Sequence, residues 1–118
     1  VLNPSFYEMS QTQTFPSRLQ RVLRRYIHTQ TTVGEIAAEM HMSESALSHT
    51  CKDLLDISPY KAFIKLKMER ARDLLENSVW TIKEISNDLG FSDQYAFSRT
   101  FKNHFDVSPV NYRKNSNQ

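Results

Sequence analysis

HMSESALSHTCKDLLDISP at residues 41–59 and GFSDQYAFSRTFKNHFDVSP at residues 90–109 are one pattern written twice, the second copy longer by one residue. Each begins at a break, His41 in the first copy and Gly90 in the second. Glycine takes the left-handed conformation that ends a helix without strain, and histidine tolerates it less well. Ser43 and Ser92 follow as the expected N-caps, so the extra residue falls after Ser92, where the second copy's helix begins. Leu47, Cys51 and Leu54 in one helix, and Phe97, Phe101 and Phe105 in the other, recur at i, i+4 and i+7 or i+8, the spacing of a buried stripe. That leaves Ser45, Ser48, His49 and Lys52, and in the second copy Tyr95, Ser98, Arg99 and Lys102, on the outer faces. Both copies close on Asp-apolar-Ser-Pro, and Ser at a cap with Pro at the first helical position starts a further helix.

The flanking sequence extends the repeat. Thr32 with Glu35 and Thr81 with Glu84 match the capping box, in which hydroxyl and carboxylate satisfy backbone N–H groups at a helix start. The stripes that follow are Val33, Ile36, Ala37 and Met40 in one copy and Ile82, Ile85 and Leu89 in the other. From Ser17, Leu19, Val22, Leu23, Tyr26 and Ile27 fall on one face of a helix whose other sides carry Arg18, Arg21, Arg24 and Arg25. Between the copies, Pro59 to about Glu76 predicts a helix roughly 27 Å long at ~1.5 Å per residue. Tyr60, Ile64, Met68, Ala71 and Leu75 form its apolar face, wide enough to meet both copies, while Lys61, Lys65, Lys67, Arg70 and Arg72 are expected to solvate it.

The predicted fold is therefore all-α, with two helix-turn-helix subdomains joined by a long linker helix and about seven helices in all. We expect a linker or flexible arm over 1–16, the first subdomain over 17–57, the linker helix over 58–77 and the second subdomain over 78–118. A lobe of about 50 residues lies near the lower limit for folding alone, so the two need a shared element.

Composition narrows the function. With 118 residues, one cysteine and a net charge of +2, the chain cannot form an internal disulfide and is only mildly basic. The cytoplasm is the expected compartment. No apolar run approaches the roughly 18 residues of a membrane span, and VLNPSFYEMSQTQTFPS lacks the pattern of a signal peptide. A start at Val1 rather than Met leads us to expect a piece of a longer protein. No metal or cofactor is expected, because His28, His41, His49 and His104 have no ligand spacing with Cys51. No catalytic residues are expected either: neither a Gly-rich phosphate loop nor a nucleophile with its base is present, so an enzyme is the weaker reading.

A helix, a short turn and a second helix with a polar outer face can place that second helix in the major groove of DNA, and two copies can read two grooves. The stretch ERARDLLENSVWTIKEISNDLGFSDQYAFSRTFKNHFDVSP, residues 69–109, closely resembles the signature of AraC/XylS-type transcription regulators, and the resemblance runs from about Ser17 to Arg113. It implies the DNA-binding domain of a bacterial transcription regulator, with recognition helices at about 44–55 and 93–105 entering adjacent major grooves of double-stranded promoter DNA. By the same resemblance Ser45, Ala46, Ser48 and His49 face bases in the first unit, and Gln94, Tyr95, Ser98 and Arg99 in the second. Ser43, Lys52, Ser92, Lys102, Arg21 and Arg25 are the expected backbone contacts. A separate N-terminal effector or dimerisation domain is implied, missing from this chain, and contact with RNA polymerase is a natural expectation for an activator.

The two units are unequal. Arg99 can donate two hydrogen bonds to guanine, Gln94 can pair with adenine, and Tyr95 offers a ring to a thymine methyl. The resemblance leads us to expect Arg or Lys where His49 stands and an aromatic residue where Cys51 stands. Between Thr32 and Ile57, Glu35, Glu39, Glu44, Asp53 and Asp56 face the single base Lys52, a charge balance that repels phosphate. The first unit is expected to carry the smaller energetic share, or to be helped by the arginines of the first helix. A protein-interaction module is the rival reading that this acidity keeps open.

Overall fold

A computed structural model describes residues 14–117, and positions 1–13 of the expected arm lie outside the described residues. Helix α1 spans Phe15–Arg25 and starts two residues before the expected point. Thr14 supplies the cap by accepting from the Ser17 N–H, and Pro16 stands in the first turn, where its missing N–H costs nothing. The remaining helices are α2 (Val33–Glu39), α3 (Glu44–Leu55), α4 (Pro59–Asn77), α5 (Ile82–Asp88), α6 (Gln94–Phe105) and α7 (Pro109–Ser116). No strand occurs among the described residues.

The Asp-apolar-Ser-Pro motif acts as a corner. Asp56 and Asp106 end α3 and α6 in the left-handed conformation, at φ of 57° and 63°. A short polar side chain makes Asp one of the few non-glycine residues to enter that region readily. Ser58 and Ser108 then cap α4 and α7, accepting from the Lys61 and Asn111 N–H groups. Of the two expected capping boxes, Thr81 and Glu84 form both reciprocal bonds, whereas Thr32 accepts from the Glu35 N–H without a return bond.

Two apolar clusters flank α4. Leu19, Ile36, Met40, Leu47 and Cys51 meet Phe63 in one, and Met68, Ala71 and Leu75 meet Ile85, Leu89, Phe97 and Phe101 in the other. The clusters do not divide where the repeat does: Ile27, at the end of the first helix, is buried in the second. Phe97, Phe101 and Phe105 form a chain of tilted rings with centroids 4.7–5.9 Å apart, and Tyr112 meets the Phe101 ring edge-on at 5.7 Å. Where Phe101 stands in the second copy the first has the smaller Cys51, fully buried, its thiol pKa raised by that burial. Two expected positions move: Leu54 is 59% exposed, with Leu55 taking the i+8 place that matches Phe105, and Tyr60 is likewise 59% exposed.

Lys67 and Arg70 do not solvate the linker helix. Lys67 is 4% exposed, and its ammonium donates to the Thr29 carbonyl at 2.7 Å and the Leu89 carbonyl at 2.6 Å. The Phe63 ring lies 4.5 Å from the same nitrogen and the Phe91 ring 5.4 Å. Arg70 holds the Asp88 carboxylate through Nε at 2.7 Å and Nη2 at 3.3 Å, which raises its own pKa. At the far end of α4, the Arg113 guanidinium reaches back from α7 to the carbonyls of Leu74, Leu75, Ser78 and Trp80. Leu75 and Ser78 belong to the last turn and cap of α4, where carbonyls lack intrahelical partners, while the Leu74 carbonyl also accepts from the Ser78 N–H and hydroxyl.

Two outcomes are expected. Arg113→Ala removes the donor from the Leu75, Ser78 and Trp80 carbonyls and should lower unfolding free energy by about 1–3 kcal/mol in urea titration, with α4 and α7 fraying together. For Lys67, burial brings the folded pKa from 10.5 down to about 8, so between those values the unfolded chain binds the extra proton. Stability should therefore rise from pH 8 towards 10.5, by about 1–3 kcal/mol relative to Lys67→Met, and stay flat below pH 8. Equal pH profiles for the two proteins would contradict this.

Candidate nucleic-acid interface

Helices α3 and α6 have the same length, 12 residues, and register at a constant offset: Ser45, Ser48, His49 and Lys52 stand where Tyr95, Ser98, Arg99 and Lys102 stand fifty positions on. Spacing of i, i+3, i+4 and i+7 puts each set on one ridge about two turns long. Leu47 and Cys51, like Phe97 and Phe101, anchor the opposite face with no exposed surface. Ser45, Ala46, Ser48 and His49 are all exposed. Tyr95 is 67% exposed and Arg99 is exposed, while Gln94 and Ser98 are half-buried.

The caps account for the extra residue. Ser43 caps α3 by accepting from the Ala46 N–H at 3.1 Å. In the second copy Asp93, not Ser92, takes that role, accepting from the Ala96 N–H at 2.7 Å. The insertion thus replaces a neutral cap by a carboxylate, which suits the positive end of a helix. Ser92 stays exposed, its hydroxyl not used as a cap, whereas the Ser43 oxygen already accepts one bond.

Charge is distributed as unevenly as the sequence implies. Arg25 donates to Glu39 at 3.0 Å, and Tyr26 donates to the other oxygen of that carboxylate at 2.6 Å; the bond to Glu39 is the main reason the phenol pKa is raised. Lys52 pairs with Asp56 at 3.2 Å. Glu44, at the first turn of α3, lies over Gly34 so closely that a Cβ there would meet its Oε1 at 2.5 Å. Arg21 is exposed on α1. In the second unit Arg99 and Lys102 are exposed, and neither forms an ion pair among the described residues. Exposed pairs such as Lys52 with Asp56 are worth under about 1 kcal/mol, so phosphate can displace them, but the acid remains nearby.

The turns before the two ridges also differ. His41 and Gly90 both have positive φ, 56° and 75°. At Gly90 the backbone of His28 and Thr29 lies against the turn, and a Cβ would come 2.8 Å from the His28 carbonyl oxygen. His41 is exposed, so its side chain has room. Sequence reasoning found both ridges but missed Asp93, Lys67, Arg70 and Arg113. For Lys67 a signal existed: Phe63, Lys67 and Ala71 recur at i, i+4 and i+8 on the buried stripe.

Among the described residues no group of three or more His, Cys, Asp or Glu is placed to hold a metal ion, and no helix is long and apolar enough to cross a membrane.

Comparison with known proteins adds four findings. A family model described as a helix-turn-helix domain matches residues 36–115. The Msm operon regulatory protein of Streptococcus mutans is 33% identical over 89% of this chain, which spans 38% of that relative's length. Among solved structures, an AraC-type DNA-binding-domain regulator from Chromobacterium violaceum superposes with a TM-score of 0.78 at 28% identity, covering 86% of this chain and 91% of that one. The DNA-binding domain of AdpA, a global transcriptional factor solved in complex with a target DNA, gives 0.74 at 26% identity, covering 82% and 90%.

Replacing single outer residues should separate the two kinds of contact. Arg99→Ala should cost on the order of 1–3 kcal/mol on the preferred duplex and relax preference at one base pair, as read by binding-site selection. Lys102→Ala should weaken all sequences alike and make the salt slope shallower by about 1, whereas Lys52→Ala, which also releases Asp56, should move it less. An unchanged selected sequence with Arg99→Ala would remove it from base reading.

Proposed function

The chain belongs to the AraC-type helix-turn-helix regulators and is a sequence-specific DNA-binding domain, not an enzyme; from that premise we propose that α3 and α6 enter adjacent major grooves of one promoter duplex. The observation that carries this reading is the pair of matching ridges, each capped, anchored and ended in the same way on either side of one stiff helix. Successive major grooves lie about 34 Å apart on one side of a duplex, and α4, with 19 residues, is about 28 Å long. A protein 54 × 34 × 22 Å in extent is long enough to span the two.

In this reading Gln94, Tyr95, Ser98 and Arg99 supply most of the base recognition, with Ser45, Ala46, Ser48 and His49 adding a weaker set. Ser43, Ser92, Lys52, Lys102 and Arg21 face the sugar–phosphate backbone, and Arg25 reaches it only by leaving Glu39. If α4 holds the units rigidly, straight DNA must bend to admit both helices, which adds shape-dependent specificity. The span of 38% of its relative's length supports placing this domain in a larger regulator with an N-terminal effector or dimerisation domain. That regulator acts in the bacterial cytoplasm, at the nucleoid, and as an activator contacts RNA polymerase.

The test is selection from random duplexes followed by salt titration on the winner. A duplex that engages both units should lose about 10³-fold or more in affinity between 50 and 200 mM salt, as expected for six or more phosphate contacts. A nearly salt-independent complex would favour the protein-interaction reading.

A further inference from the structure

We propose that Lys67 is the positioning residue that fixes the two reading helices relative to each other, so that one duplex accepts both. The inference rests on the two-groove reading above and concerns what sets the register between the units.

Lys67 stands near the middle of α4, and its two acceptors belong to different units. Thr29 lies in the turn between α1 and α2, ahead of the first helix-turn-helix, and Leu89 caps α5, the helix that precedes α6 in the second. One nitrogen within 2.7 Å of both carbonyls therefore ties the two units to a single point. An apolar side chain of similar length would fill the same space without the cost of desolvating an ammonium. What it cannot supply is two directional bonds to two different units. Charge-assisted bonds are roughly twice as strong as neutral ones, and the facing Phe63 and Phe91 rings favour the cation further.

The contacts beside Lys67 close the same seam. His28, from the first unit, bonds through Nδ1 to the Asp88 carbonyl at 2.7 Å, and Arg70 holds the Asp88 side chain. Gly90 lets the two backbones meet where any Cβ would collide with His28 and Thr29. The seam opens outward into clefts. One, of about 340 Å³, has Lys67 and Gly90 in its wall and is bordered by Thr32, Tyr60 and Ser92; another, of about 490 Å³, runs between Tyr60 and Lys61 of α4 and Asn103 and His104 of α6. A hinge motion across these clefts meets its resistance at Lys67 and its neighbours. A small rotation there becomes a displacement of ångströms at the outer turns of α3 and α6, enough to lose the second groove.

The experiment compares the wild-type 118-residue chain with Lys67→Met and with Lys67→Arg, whose guanidinium can still donate to two carbonyls. Each is titrated with the duplex selected by the wild type from a random library, and with versions in which one or the other half of the protected site is scrambled. We expect the wild type to gain about 100-fold or more from having both halves. Lys67→Met should keep its affinity for single-half duplexes and lose at least about 10-fold of that gain, while Lys67→Arg retains it. In parallel, spin labels on Ser48→Cys and Ser98→Cys, with Cys51 shielded by burial, should give one narrow distance distribution without DNA in the wild type and a broad one with Lys67→Met. Should Lys67→Met fail to fold, Lys67→Gln, too short to reach both carbonyls, takes its place with the same expected losses. An undiminished gain together with an unchanged distance distribution overturns the role of Lys67. A wild type that gains nothing from the second half fells the two-groove reading itself, and the inference with it.

Discussion

Everything in this fold leans on one helix, α4, that packs against both lobes and leaves only the face of Lys65, Glu69 and Arg72 to solvent along its middle. Neither lobe has enough apolar surface of its own, and α4 completes both: Phe63 enters the first cluster, and Met68, Ala71 and Leu75 enter the second. Because 3.6 residues make a turn, those positions point to different sides, and the stripe rotates from one lobe to the other along the helix. Lys67 occupies the crossover, where the side chain must face both units at once. The ends of α4 are closed just as firmly, by Ser58 and Pro59 at one terminus and by Arg113 at the other. Secondary structure, packing and the mutual placement of the reading helices thus depend on the same 19 residues.

Much of this was legible in the sequence, because it rests on local rules. Capping residues, helical spacing and Ser-Pro starts act over a few residues, and they yielded seven helices, the two reading ridges and the linker. The misses are of another kind. Leu54 and Leu55 are both apolar at permissible spacings, and only the position of the rest of the first core decides that Leu55 turns inward. Ser92 is the expected cap by analogy with Ser43, but the inserted residue moves the helix start to Gln94 and gives the cap to Asp93. Lys67, Arg70 and Arg113 act on carbonyls and carboxylates 18 to 39 positions away, which no local pattern encodes. Charged residues on a mostly apolar helix read as solvated until their partners are in view.

The two units share a backbone plan and differ in chemistry. The second is built on a chain of tilted rings and offers Arg99 and Lys102 without acidic partners among the described residues. The first has a smaller core around Cys51, a ridge of two serines, His49 and Lys52, and acids that already engage Arg25 and Lys52. A cation committed to a carboxylate brings less counterion release to a phosphate than a free one. In the proposed reading this asymmetry becomes a division of labour, the second unit contributing most of the base discrimination and the first adding groove occupancy and alignment. Rigid coupling through α4 makes that arrangement workable, since a weak reader held in place at its groove loses little entropy on docking.

Hydroxyl-radical footprinting on a selected duplex addresses the central claim most directly. Two protected segments about one helical turn apart on the same face of the DNA are predicted, the one assigned to α6 persisting to higher salt. A single protected segment, unchanged in length at every protein concentration, would contradict simultaneous docking of both helices.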